Sequence, residues 1–245
     1  VSAVLVIAGV DSSGGAGLAR DLRTLAQLGT SALCAVTAVT VQSDAELIAS
    51  HLMPPQLVSA AVAAALASGR VAAVKVGMLG SAAIVRAVAA ALPAVLDVPI
   101  VLDPVLASSS GGSLLDAEGR AALIEWLLPR VTLLTPNVPE AALLLGTPLG
   151  AGEAALLQQA QQLRARGARA VLLKGGHAPG AQATDFLVSD CATQRLATAR
   201  RAGSRRGTGC ALATAIAAGL GAGLPLAVAC QRAKDHVTQL FDAPP

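Results

Sequence analysis

The chain has 245 residues, 54% of them hydrophobic and 13% charged, with a formal charge of +3, enough for one large α/β domain or two small ones around a sizeable core. Aromatic content is 1%, with one Trp, two Phe and no Tyr, which leaves no stacking platform for single-stranded nucleic acid. The mild charge, with no run of Lys or Arg, also excludes a DNA-binding arm.

Ala3-Val4-Leu5-Val6-Ile7-Ala8 is a continuous apolar run and predicts a strand covered on both faces. Gly9 to Gly17 follows as a glycine-rich loop that opens a helix to about Leu28. Arg20 stands where a dinucleotide fingerprint needs its third Gly, and no Gly-Lys-Ser/Thr follows, so neither familiar phosphate loop is present. Asp21 on this helix is a surface charge or a ligand acceptor. Ser31 to Gln42 predicts the second strand, 54–68 a helix and Val71 to Val76 a strand running into Gly77-Met78-Leu79. Ser81 caps a helix to about Leu92, and Pro99 to Leu102 is a strand ending in Asp103-Pro104. Residues 107–113, rich in Ser and Gly, predict a mobile loop, with a helix over about 116–128 behind it.

Val131 to Thr135 predicts a further strand, and Pro136-Asn137-Val138-Pro139-Glu140 opens a helix. A helix lies within 150–167, then a strand over 168–173 ends on Lys174-Gly175-Gly176-His177. Residues 184–189 and 193–198 predict a pair of edge strands, followed by a helix behind Gly207 and a last one over about 224–241 that carries Lys234. Alternating strands and helices without a linker or repeat predict one doubly wound sheet.

Between Gly207 and Gln231 there is no charged residue, a length that could span a bilayer. Gly207, four further glycines and Pro225 break the stretch into loop, helix, turn and helix, so it predicts two buried helices and no membrane partner. The cysteines Cys34, Cys191, Cys210 and Cys230 are far apart and form no C-x-x-C pair, which fits reduced thiols in the cytoplasm and disfavours a zinc ribbon or redox pair. Val1 opens directly into a strand-like run with no basic leader, so no signal peptide is expected.

Gly207-Thr208-Gly209-Cys210 is the most informative stretch. Its glycines permit a tight bend, and the helix behind it aims unpaired N–H groups and a positive dipole end into that bend. The pattern suits an anion hole, with Cys210 in a first turn where a thiol ionises more easily and takes a proton from a substrate hydroxyl. The same residues also suit a glycine turn capping a packed helix with a buried Cys.

Ligands of doubly wound sheets bind beyond the carboxyl ends of the strands. The polar residues there are Asp11, Gln42, Asp103, Asn137 with Glu140, and Lys174. Asn137-x-x-Glu140 doubles as a helix capping box. Asp103 and Glu140 together suit Mg²⁺ held through water. Lys174 either reaches a nucleotide phosphate or is a solvated strand end. Only three of the 18 basic residues are lysine, namely Lys75, Lys174 and Lys234, so each marks a position of interest.

The ordered set of the Gly9–Gly17 loop, Asp21-Leu22-Arg23-Thr24, Val74-Lys75-Val76-Gly77-Met78-Leu79, Val101-Leu102-Asp103-Pro104-Val105, Thr135 to Glu140, Lys174 to His177 and Gly207 to Cys210 resembles the hydroxymethylpyrimidine/phosphomethylpyrimidine kinases of thiamine biosynthesis. These lie within the ribokinase-like superfamily, and the resemblance runs from about Val4 to Lys234. It implies a ribokinase-like three-layer α/β/α fold, with a doubly wound, mostly parallel sheet as a single domain over 1–245. It also implies phosphorylation, with ATP and Mg²⁺, of 4-amino-5-hydroxymethyl-2-methylpyrimidine and then of its monophosphate.

By the resemblance, Asp21 and Gln42 hydrogen-bond the aminopyrimidine, Met78 and Val105 pack on its ring, and Gly9 lets it approach the backbone. Asp103, Asn137 and Glu140 handle Mg²⁺ and the triphosphate, Asp103 and Glu140 through water, and Lys174 and Lys234 sit near the nucleotide. Cys210 is the base, and Gly207, Thr208 and Gly209 complete the anion hole. The chain is expected to form a homodimer. Two positions depart from the family pattern: Arg206 replaces His before Gly-Thr-Gly-Cys, and the 107–113 loop lacks the usual Lys. The alternatives are a pyridoxal-type kinase on the same fold and a non-catalytic pyrimidine-binding protein.

Overall fold

The computed structural model describes residues 2–43, 46–93, 97–108, 112–175, 181–201, 203 and 205–241. It forms one nine-stranded sheet in the order β3-β2-β1-β4-β5-β6-β7-β8-β9. The strands are β1 (Ala3–Asp11), β2 (Ser31–Gln42), β3 (Leu47–Leu52), β4 (Val71–Val76), β5 (Ile100–Leu102), β6 (Leu133–Leu134), β7 (Val171–Lys174), β8 (Gln182–Val188) and β9 (Thr193–Ala199). From β2 to β7 neighbours run parallel; β3 joins β2, and β8 and β9 follow β7, in antiparallel fashion.

The two-residue period of each strand sends alternate side chains to opposite faces. Leu5 and Ile7 of β1 enter a core with α2 (Pro55–Ala67), α3 (Ala82–Ala91), α5 (Val138–Leu145) and α6 (Gly152–Ala165). Val4, Val6 and Ala8 enter a second core with α1 (Gly17–Gln27), α7 (Thr208–Gly221) and α8 (Leu226–Leu240). Both faces are therefore covered, as the unbroken apolar runs predict, and the architecture is the three-layer α/β/α fold.

Ser81 caps α3 by accepting from the Ile84 N–H. The uncharged stretch after Gly207 is indeed two packed helices, α7 and α8, and among the described residues no helix is long and apolar enough to cross a membrane.

One strand is added and one expected helix changes. Leu47–Leu52 is an edge strand with mostly exposed side chains, so it lacks the apolar run that marks the central strands. The helix expected over about 116–128 is α4 (Ala117–Ala122), then a π-helical turn at Leu123–Leu127 and a 3-10 turn at Leu128–Arg130. Pro129 has no N–H to continue the helix. In the 107–113 segment Ala107 and Ser113 form a bridge; 109–111 lie outside the described residues.

Candidate active site

The chain runs outward from β1 to β2 and then returns to place β4 on the other side of β1. A crevice at such a reversal is where doubly wound sheets bind ligands. Gly9 and Met78 meet across it, since a methyl group on Gly9 would stand 2.9 Å from Met78 Sδ.

Asp11 organises the first loop. Its Oδ1 accepts from the Ser13 N–H (2.9 Å) and hydroxyl (2.8 Å), and its Oδ2 from the Ala16 N–H (2.9 Å) and Arg206 Nη2 (3.1 Å). Arg206 also donates to Ser13 Oγ (3.0 Å) and to the Ser43 carbonyl (2.9 Å). The arginine that replaces the family histidine thus ties three loops together. Ser12 Oγ accepts from the Gln42 N–H at 2.9 Å and holds the end of β2 beside this loop. The Gln42 side chain is half-buried, with its oxygen 3.4 Å from Thr40 Oγ1. Met78 is buried and Val105 half-buried.

Gly207 begins α7 with φ +73°, and a methyl group there would lie 2.3 Å from the Gly15 carbonyl oxygen. Only glycine fits this left-handed, close-packed corner. No side chain caps α7, and Ala211 is the first residue whose N–H closes a helical bond, onto the Gly207 carbonyl at 2.9 Å. The N–H groups that precede it in the helix take no side-chain cap, which leaves them available to an anion.

The Cys210 thiol is half-buried in this turn, with the Gly17 N–H donating toward it. Its ionisation runs opposite to expectation. Burial pushes the thiol up to about 12, and the Asp21 and Asp103 charges add to that, against relief from Lys75 and the Gly17 N–H.

On the phosphate side, Lys174 Nζ donates to Asp103 Oδ1 at 2.9 Å and lies 4.0 Å from Glu140 Oε2. A methyl group on Gly209 would stand 3.2 Å from that ammonium and 3.8 Å from Asp103 Oδ2. The start of α7 therefore abuts the carboxylates. Asn137 and Glu140 form a complete capping box, each side chain accepting from the other's backbone N–H at 2.8 Å. That leaves Glu140 Oε1 and the Asn137 amide nitrogen outside the box.

One ammonium cannot neutralise two buried carboxylates. Asp103 takes Lys174, and burial pushes Glu140 up to about 7, with Asp103 adding repulsion and Lys174 only partly compensating. This uncompensated negative charge fits a divalent cation. Two carboxylates suit Mg²⁺, which keeps waters and takes phosphate oxygens for the rest of its shell. Among the described residues no larger cluster of metal-ligating side chains occurs.

Two expected ligand contacts are displaced. Asp21 is fully buried, with Oδ2 on Lys75 Nζ and Oδ1 on Thr214 Oγ1, both at 2.7 Å. With both oxygens filled by protein donors, it supports the site from beneath and does not meet a ring. Lys234 is buried on Asp185 Oδ2 at 2.6 Å, while Asp185 Oδ1 accepts from the Gly175 N–H at 3.1 Å. Its ammonium holds the turn after Lys174 and does not present itself to a nucleotide. Gly176 and His177 lie outside the described residues.

The family model for phosphomethylpyrimidine kinase matches residues 11–244. The chain belongs to the phosphomethylpyrimidine kinase family. It is 40% identical, over 98% of its length and 90% of the relative's, to the hydroxymethylpyrimidine/phosphomethylpyrimidine kinase of Rhizobium meliloti. Among solved structures, phosphomethylpyrimidine kinase from Clostridium difficile 630 superposes with a TM-score of 0.84 at 30% identity, covering 98% of this chain and 100% of that one. Pyridoxal kinase from Staphylococcus aureus, in complex with AMP-PCP and pyridoxal, superposes with a TM-score of 0.87 at 29% identity, covering 97% and 87%. As a phosphomethylpyrimidine kinase family member the chain is a phosphotransferase with ATP as co-substrate, on the ribokinase-like fold.

Sequence reasoning missed the partner of Lys75, Thr214, Asp185 and the contacts of Arg206. The rarity of lysine did single out Lys75: all three lysines are paired with aspartates, Lys75 with Asp21, Lys174 with Asp103 and Lys234 with Asp185.

Proposed function

We propose that the chain transfers the γ-phosphoryl group of ATP to the hydroxymethyl oxygen of 4-amino-5-hydroxymethyl-2-methylpyrimidine, and then a second phosphoryl group to the resulting monophosphate. The observation that carries this reading is the meeting of the Gly207–Cys210 turn with Asp103 and Lys174 at the carboxyl ends of the strands. The substrate oxygen forms a bond to the γ-phosphorus as the bond to the β-γ bridging oxygen breaks and ADP leaves. The substrate proton passes to the Cys210 thiolate. N–H groups at the start of α7 receive the charge that builds on the transferred oxygens. Because burial keeps Cys210 protonated, the reactive thiolate is scarce at neutral pH and turnover rises with pH.

Gln42 offers its amide to the aminopyrimidine edge, and Met78 and Val105 pack on the ring. Asp103, Asn137 and Glu140 hold Mg²⁺·ATP, with Lys174 at the phosphates; the metal when bound neutralises triphosphate charge. Asp21 and Lys234 support these groups from below. The whole chain acts as one domain, pairs with a second copy as the family resemblance implies, and works in the cytoplasm, where its four free thiols stay reduced. Turnover on the free alcohol and on the monophosphate, measured side by side with Mg²⁺·ATP, tests the reading. Formation of both products supports it; ATP-dependent binding without either product contradicts it.

A further inference from the structure

Lys75 is a fully buried ammonium in the middle of a parallel sheet. Alternation along β4 places it on the face of Ala73, the face that α1 and α7 cover. There it meets Asp21 of α1 at 2.7 Å, both side chains being 0% exposed, and Asp21 in turn receives the Thr214 hydroxyl of α7 at 2.7 Å. Thr214 follows Cys210 by four residues on the same helix, one turn along the same face. Three elements are thus joined directly beneath the reactive turn.

A buried ion pair of this kind is weak evidence for stability, because desolvating two charges cancels most of their attraction. A fully apolar trio would pack there at no such cost, which points to a role in the site. We propose that Lys75, Asp21 and Thr214 form a positioning unit that fixes the height of Cys210 at the substrate hydroxyl and supplies positive potential to its reactive form; this rests on the kinase reading above. Thr214 sets the height by pinning α7 one turn below the thiol. Lys75 supplies the potential, with Asp21 as the counter-charge that lets an ammonium reside there.

The charges facing Cys210 come from every side. Asp21 and Arg20 lie on α1, Lys75 on β4, Asp103 after β5 and Lys174 at the end of β7. Of these, Lys75 is the one that most favours the thiolate. None of the three residues needs to touch substrate; they act through Cys210.

The test separates anchoring from charge. Thr214→Val keeps the shape and deletes the hydrogen bond, while Thr214→Ser restores it. The double variant Lys75→Met with Asp21→Asn removes both charges, leaves no orphan ion and keeps an acceptor for Thr214. Two quantities are read: kcat and KM for the pyrimidine and ATP, and the rate at which iodoacetamide alkylates Cys210 across pH, followed by peptide mapping without ligands.

The double variant is expected to slow Cys210 alkylation at least about threefold at a given pH, a shift of roughly half a pH unit in the profile. It and Thr214→Val should lower kcat by about tenfold with both KM values within about twofold, and Thr214→Ser should stay near the unmodified rate. Unchanged kcat and an unchanged alkylation profile overturn the proposal, as does lost stability with an unchanged profile. Should the double variant fail to fold, the Thr214 pair still decides. If the unmodified protein does not phosphorylate the pyrimidine, the kinase reading fails separately, since alkylation reads Cys210 without turnover.

Discussion

Lys174 donates to Asp103 at 2.9 Å, at the place where the phosphate-side carboxylates meet the first turn of α7. The pair joins β7 to the end of β5 across the intervening β6 and brings the positive end of a helix, an ammonium and two acids to one corner. The proposed division of the site rests on it, with phosphates at this corner and the ring at the crevice between β1 and β4.

Asp103→Asn and Glu140→Gln should therefore weaken productive Mg²⁺·ATP binding and leave pyrimidine binding nearly intact. Calorimetric titration of each variant with each ligand checks this. Loss of pyrimidine binding with ATP binding retained would reverse the division.

Gln42→Leu removes the amide at the end of β2 and leaves the polar edge of the ring unpaired, a cost of about 1–3 kcal/mol. Substrate affinity should fall by that amount while background ATP hydrolysis persists. Equal affinity in the variant would place the ring elsewhere.

The layers of this fold are legible in the sequence because central parallel strands need apolar side chains on both faces. Residues 3–8 and 71–76 announce themselves in that way. β3 does not, since an edge strand with exposed side chains carries no such signature. In the site, the strand-end residues Asp103, Glu140 and Lys174 can be read from position alone. The partners that set their chemistry cannot. Asp21 looks like a ligand acceptor until Lys75, 54 residues away, and Thr214, 193 away, fill its oxygens. Cys210 looks ionisable from its place in α7, and only the packed surroundings show that burial raises the thiol.

Glu140 titrates at about 7 in the folded chain, above the 4.5 of a free side chain. Folding therefore favours its protonated form: the contribution is complete below about pH 4.5 and is lost as pH rises through about 7. Denaturant unfolding should show lower stability at about pH 8 than at about pH 5, by an amount of order 1–3 kcal/mol that Glu140→Gln largely abolishes. An identical pH dependence in the variant would assign the effect to another group.

Gly207→Ala would hold a side chain at φ +73° and drive a methyl group to 2.3 Å from the Gly15 carbonyl. Strain of about 1–3 kcal/mol follows, and the turn must shift, so turnover should fall more steeply than thermal stability. Thermal unfolding and kcat measured together check it; full activity would show that the corner tolerates displacement.

The central claim is that Cys210 takes the proton of the substrate hydroxyl while the start of α7 receives the phosphoryl oxygens. The most direct measurement is single-turnover phosphorylation of the hydroxymethylpyrimidine by Cys210→Ala beside the unmodified protein, with both ligands shown to bind. Deleting the thiol leaves the backbone N–H groups in place, so the rate is predicted to drop by about 10²–10⁴, and the rise of the unmodified rate with pH is predicted to vanish. A Cys210→Ala variant that turns over at a near-normal rate would contradict the account and leave the thiol as packing alone.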